Sequence, residues 1–262
     1  WPAVFNEGGN TMSILPLVGL GDDGLPTAAS FITRQIHANG IEATFTWSKA
    51  PSTFDTPFDP TDPANWEGIV PVVQYDGVDE KADTPDNAYW SVASNPYSVG
   101  VWFNAIDATN AYLLAKYDAT TGSQKLEWMF YIDSSDYPSF QIYDESSDAH
   151  IVRQQQTALP ENQWHFMVGT WDGSNLVGGI KVYLNGVQVD DANVTGGSFT
   201  AQEDLAGTVT LAHSVAPGGG VFNPFEGKMA GGPFGPFFTQ VELTAAQVKN
   251  LYVLGRAAMG LK

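Results

Sequence analysis

From about Val70 onward the chain is a succession of short segments in which apolar and aromatic residues alternate, each closed by a turn signal. A period of two sends successive side chains to opposite faces of a strand, so each segment can bury one face. Ser98–Phe103 sets Val99, Val101 and Phe103 on one face, and Trp164–Trp171 does the same with Trp164, Phe166 and Val168. Pro71–Tyr75, Ala111–Tyr117, Leu126–Ile132 and Thr208–Ala212 are further strands, and Phe140–Tyr143 with His150–Arg153 forms a hairpin. Ile180–Leu184 runs into Asn185-Gly186 and on to Val187–Val189. Asn-Gly suits a two-residue type I′ turn, because both positions need positive φ. The period changes near the end, where Thr244 and Gln247 form a capping box and Val248, Leu251 and Tyr252 recur at helical spacing. The predicted fold is all-β, an antiparallel two-sheet β-sandwich of the jelly-roll kind with one short C-terminal helix.

Composition supports that class and removes several functions. Hydrophobic residues make up 43% of the 262 residues, enough for a substantial core, while 27 Gly and 16 Pro supply the turns. The formal net charge is −18. Nucleic-acid binding needs clustered Lys and Arg to neutralise phosphates, so that partner is excluded, as is an anionic membrane surface. The excess of carboxylates implies solubility through self-repulsion or, for some of them, Ca²⁺ ligation. There are no cysteines, which rules out disulfides, zinc-thiolate sites and thiol nucleophiles. No apolar run reaches membrane-span length, and no signal peptide is visible. A first residue of Trp rather than Met suggests a processed or incomplete chain, in keeping with an extracellular or virion protein.

Residues 1–67 follow a different pattern. Trp1–Asn10 has no clear period, 19–26 is a loop, Ile41–Trp47 is a strand, and Pro51–Pro63 carries four prolines and is a linker or surface loop. The expected division is an N-terminal extension or arm over 1–67 and a sandwich domain over 68–262. Such an arm either packs on the domain or reaches a neighbour.

Six segments, in order, resemble the laminin G-like domains of the concanavalin A-like lectin and glucanase superfamily. They are Tyr75–Glu80, Tyr97–Phe103, Leu114–Asp118 with Glu127-Trp128, Asn162–His165 leading to Thr170–Gly173, Val182–Val187, and Phe225-x-Gly227 followed by Leu243–Val248. The match covers roughly 70–255 and implies the sandwich fold. One departure follows Phe225-Glu226-Gly227: such domains often carry an acidic pair there, whereas this chain has Met229-Ala230-Gly231-Gly232-Pro233.

Sandwich glycosidases of that superfamily hold paired carboxylates on one strand, E-x-D-x-x-E or E-x-D-x-E, so that acid and nucleophile share a cleft. Neither pattern occurs, and Glu127 has no acidic partner on its strand. The chain is therefore expected not to be an enzyme. Asp144, Ser146, Asp148 and His150 share a spacing parity, but Asp and Ser at that place fit a solvated hairpin tip better than a metal or acid–base site. His37, His150, His165 and His213 have no metal-ligand spacing, and His165 between two aromatics suits a structural role.

Calcium is the cofactor to consider. Asp76 and Asp79, which resemble the opening motif of the family, are the first candidate ligands, with Asp118 and Asp172 behind them. The alternative for Asp76 and Asp172 is turn capping, since a Gly follows each. Trp102, Trp128, Trp164 and Trp171 lie in strands and belong to the core, whereas Trp90, Tyr137 and Tyr143 lie nearer loops and could stack on a sugar ring. The leading expectation is a non-catalytic structural or recognition module, displayed in a virion or extracellular surface assembly and attached through its arm. It would have protein partners and be oligomeric. The alternative is a Ca²⁺-assisted glycan-binding lectin domain, and a polysaccharide-cleaving enzyme comes last.

Overall fold

The computed structural model describes the backbone at 6–7, 10–11, 13–14, 46–49 and 66–67, and the chain at 70–90, 92–231 and 234–261. The expected loop at 19–26, the first residues of the 41–47 strand and the Pro-rich linker at 51–63 lie outside the described residues.

Two sheets face each other. The larger has the order Ala192–Gly196, Ala149–Gln154, Pro138–Asp144, Lys125–Ile132, Tyr112–Asp118, Val209–Leu211, Lys81–Thr84 and Thr46–Lys49, with Ser214–Val215 and Val221–Phe222 joined beside Tyr112–Asp118. The smaller is built around Tyr97–Asp107, which is flanked on one side by His165–Trp171 and Ile180–Leu184. On its other side lie Glu226–Ala230, then Val70–Asp76, with Phe237–Thr239 further along the same edge. Among the described residues pairing is antiparallel apart from one parallel bridge, Val215 to Asp118. The alternation read from the sequence is the physical cause: Val99, Val101 and Phe103 from one sheet meet Trp128, Phe130, Ile132 and Phe140 from the other.

The Asn185-Gly186 hairpin forms as expected, with φ of 52° and 77° at the two turn residues. The C-terminal helix spans Ala245–Ala258, and its N-terminus carries the capping box between Thr244 and Gln247. It covers the outward face of the smaller sheet. Trp102 stacks between Phe166 and Tyr252, and Gly255 brings the helix so close that a Cβ there would lie 2.4 Å from Trp102 Nε1. His165 is buried, with Nε2 2.8 Å from the Pro160 carbonyl and Nδ1 3.2 Å from the Asn185 amide, which is a structural role.

Short strands at Lys81–Thr84, Ala192–Gly196, Glu226–Ala230 and Phe237–Thr239 join the expected set. Parts of the 1–67 extension pair with the sandwich: Ser13–Ile14 with Phe237–Phe238, and Thr46–Lys49 with Lys81–Asp83. Trp66–Glu67 pairs with Val70–Pro71. Asn6–Glu7 pairs with Asn10–Thr11 as a separate hairpin.

Candidate functional site

The outward face of the larger sheet differs from that of the smaller one. In Lys125–Ile132, Trp128, Phe130 and Ile132 point into the core, so Met129 and Tyr131 point outward. Tyr112, Ala115 and Tyr117 from the neighbouring strand join them in one cluster. The rings continue across the sheet. Phe222 meets Tyr112 edge-on at 6.0 Å, and Tyr112 lies 5.2 Å from Tyr131. Further along, Tyr117 meets Tyr143 at 5.9 Å, and Tyr143 stacks on His150 at 5.9 Å. Phe222 is 39% exposed and Tyr117, Tyr131 and His150 are partly exposed, so these rings present edges and faces to solvent. Among the described residues no helix covers this face.

Burial pushes the Tyr112 phenol up to about 12, against a hydrogen bond with the Asn223 side chain. Burial likewise raises Tyr117, Tyr131 and Tyr143, with nearby tyrosine and carboxylate charge acting the same way. Burial lowers His150, opposed by Asp148. At neutral pH the face is thus a row of uncharged rings with hydroxyl groups that can donate and accept.

One end of this row opens into a polar cavity. Three connections between the sheets meet there, and the cavity, about 310 Å³, is lined by Gly77, Asp107, Thr109, Asn110, Asn223, Pro224 and Glu226. Glu226 sits in register with both Asp76 and Asp107 on the flanking strands. Gly77 holds φ at 72°, and a Cβ on it would come within 2.7 Å of Glu226 Cβ, so the glycine is what lets the two strand ends close up. Asn110 and Asn223 also have positive φ, at 55° and 48°, a backbone state Asn tolerates better than most residues. The Tyr112 backbone N–H donates to the Asn223 carbonyl, which joins cavity to aromatic row.

The opposite end of the sandwich is closed by charge. A bulge between Leu126 and Trp128 takes Glu127 out of register. Glu127 and Lys116 are both fully enclosed and paired with each other, and Lys116 also reaches Asp86 at 3.1 Å. Glu127 accepts from the Leu205 backbone N–H at 3.0 Å and from Gln202, which in turn accepts from the Tyr97 hydroxyl at 3.2 Å. Asp144 holds the same 197–207 crossing by accepting from the Thr200 and Ala201 backbone N–H groups, and Glu203 within the crossing accepts from the backbone N–H groups of Glu145 and Ser146. Burial raises Glu127 from 4.5 to about 7, opposed by the charge and hydrogen bond of Lys116. An enclosed carboxylate held by a lysine and bonded to the Leu205 backbone and the Gln202 side chain ties down a loop.

The seven residues singled out in the sequence take different places. Trp90 is corrected: its ring is 1% exposed and lies between the sheets, edge-on to Tyr89 and Phe238, because the turn at 88–90 folds inward. It cannot serve as a sugar platform. Tyr143 belongs to the aromatic row. Tyr137 is partly exposed in the hairpin after Ile132, its backbone N–H on Asp133. Asp76 and Asp79 lie at the cavity end, whereas Asp118 ends its strand and Asp172 follows its strand at the other. The four therefore do not fit one calcium site, and among the described residues no group of three or more His, Asp or Glu could hold a metal. Asp76, Asp118 and Asp172 each accept from the backbone N–H two residues on, at Val78, Thr120 and Ser174.

Tyr112, Tyr117, Tyr131, Phe222, Asp107 and Glu226 were not singled out from the sequence. The signal for three of them was there: both faces of 111–117 and 126–132 carry aromatics, more than one core needs.

Known proteins agree with the fold. The binding domain of Botulinum neurotoxin DC in complex with rat synaptotagmin II matches with a TM-score of 0.56, 13% identity, and coverage of 94% of this chain and 51% of that one. The same binding domain in complex with SialylT gives a TM-score of 0.52, 12% identity, and coverage of 92% and 51%. This chain thus spans about half the length of those structures. Domain 4 of AbnA, a GH43 extracellular arabinanase from Geobacillus stearothermophilus in complex with arabinotriose, gives 0.47, 14% identity, and coverage of 93% and 87%. No curated protein matches the sequence. A family model, Laminin_G_3, described as concanavalin A-like lectin/glucanases superfamily, matches residues 76–231, more than half of the chain. The chain belongs to this laminin G-like family of the concanavalin A-like superfamily.

Proposed function

We propose that this protein is a non-catalytic glycan-binding module, working outside the cell, whose ligand lies along the outward face of the larger sheet. The observation that carries the reading is the row from Phe222 through Tyr112 and Tyr131 to Tyr117, Tyr143 and His150. An aromatic ring offers the apolar face of a sugar a flat surface while its hydroxyl reaches the sugar's own hydroxyls. Binding domains of the same fold, in the neurotoxin complexes, take rat synaptotagmin II and SialylT, which supports a binding role. Replacing Tyr131 or Tyr117 with alanine should weaken the best ligand on a glycan array by about tenfold, or ~1.4 kcal/mol, with melting temperature held as the control. An array that stays blank for the native protein would end this reading.

A second reading, a module attached to a virion or surface assembly through its N-terminal segment, draws on the hairpin of Asn6–Glu7 and Asn10–Thr11, which joins neither sheet. Removing residues 1–11 should then lower the mass of the particle or oligomer without changing the melting temperature. An unchanged mass would count against it.

A further inference from the structure

The cavity at the end of the aromatic row, lined by Asp107, Thr109, Asn110, Asn223 and Glu226, has no part in the reading so far, and its chemistry is specific. We infer that it is the selectivity subsite of the same face, that it takes a hydroxyl-rich sugar residue without negative charge, and that it turns acidic sugars away. The inference rests on the glycan-binding reading and deepens it.

Three observations meet here. The cavity adjoins the rings: Asn223 follows Phe222, Asn110 lies two residues before Tyr112, and the Tyr112 N–H is bonded to the Asn223 carbonyl. A ligand stacked on the exposed ring of Phe222, which packs on Tyr112, therefore lies beside it. Its volume, about 310 Å³, is at the lower end of ordinary small-ligand sites, enough for one sugar ring but not for a long chain. Its walls mix carboxylate acceptors with side-chain amides that both donate and accept, the set that paired sugar hydroxyls need.

Charge decides which sugars enter. Neither Asp107 nor Glu226 is ion-paired to a Lys or Arg among the described residues, and the whole chain carries −18. Asp107 accepts from the Thr109 backbone N–H through one oxygen, which leaves its second oxygen to accept from a ligand. A sialic or uronic carboxylate, or a sulfate, would meet two like charges without a compensating cation, which disfavours its binding. A neutral hydroxyl, in contrast, donates a charge-assisted hydrogen bond to either carboxylate.

The test is an array carrying neutral, sialylated, uronic and sulfated oligosaccharides, probed in a calcium chelator with the native chain, the Asp107→Asn/Glu226→Gln double variant and Tyr131→Ala. Both acidic replacements keep shape and the Thr109 contact, so the fold should stand, and melting curves check it. The native chain should bind neutral sugars alone. The double variant should lose roughly ten- to a hundredfold on them, as expected for loss of bonds to charged acceptors. It should also gain signal on acidic sugars. Equal binding of acidic and neutral glycans by the native chain overturns the inference. So does loss in Tyr131→Ala with none in the double variant, an outcome that leaves the aromatic face standing. Binding that appears only when calcium is restored overturns it as well, since the carboxylates would then not be meeting hydroxyls directly. A blank native array removes both the face and its subsite.

Discussion

Replacing Lys116 with methionine is expected to cost this protein about 3–5 kcal/mol of stability, the usual consequence of stranding one member of a buried ion pair. Glu127 would remain fully enclosed, with the Leu205 N–H and Gln202 as its hydrogen-bond partners but without its cation. For a domain of this size the loss corresponds to a fall in Tm of roughly 6–20 °C. The pH dependence follows from the direction of the shift. Burial already raises Glu127 from 4.5 to about 7 with Lys116 in place. A carboxyl raised in the folded state binds its proton more tightly there than in the unfolded chain. That contribution is full below the unfolded value and is lost as pH climbs through the folded one. Without Lys116 the folded value rises further, so the variant should be least impaired near pH 4–5 and most impaired above pH 8. The double variant Lys116→Met/Glu127→Gln should recover much of the loss, because removing both charges also removes the desolvation penalty. Urea melts at pH 5 and pH 8 settle the matter. A single variant that loses under ~1 kcal/mol at pH 8 would show that the pair is not what ties the 197–207 crossing down.

Phe238→Ala should be about as damaging, at about 3–5 kcal/mol, the range for removing a ring from a well-packed core. Phe238 stacks on Tyr97 at 5.1 Å and touches Trp90 at 5.5 Å, Tyr89 at 5.7 Å and Trp128 at 5.8 Å. It thus joins both sheets and the inward turn at 88–90 in one contact. Phe238→Leu keeps most of the volume and should lose under half as much. Because Phe238 lies in the core and the tyrosine row lies outside, glycan affinity measured well below the melting temperature should not change. Loss of affinity at full folding would mean that the two faces of the larger sheet are coupled.

Both variants concern residues whose roles come from the meeting of distant segments, and that is where the limit of sequence reasoning lies. Local pattern is enough for much of the fold. Val99, Val101 and Phe103 face the core because alternation leaves no other arrangement, Asn185-Gly186 turns because both residues accept positive φ, and Thr244 with Gln247 starts the helix by satisfying its free N–H groups. The missing glycosidase carboxylates were equally legible, since that pattern lies within a single strand.

The site needed the tertiary structure. Trp90 looked like a surface ring because it follows a polar turn, and only the approach of Phe238, far along the chain, explains why it points inward. Asp76, Asp79, Asp118 and Asp172 share a residue type, yet the strand directions send them to opposite ends of the sandwich. Tyr112 and Tyr131 could be read as core from their spacing, because periodicity separates two faces without saying which of them a second layer covers. Here the core covers one face of the larger sheet, and the C-terminal helix went to the other sheet. What the sequence determined by itself was the family, the sandwich and its turns, all set by interactions among residues near in the chain. Which aromatic face stayed open, and which carboxylates came to border a cavity, depended on contacts across long separations.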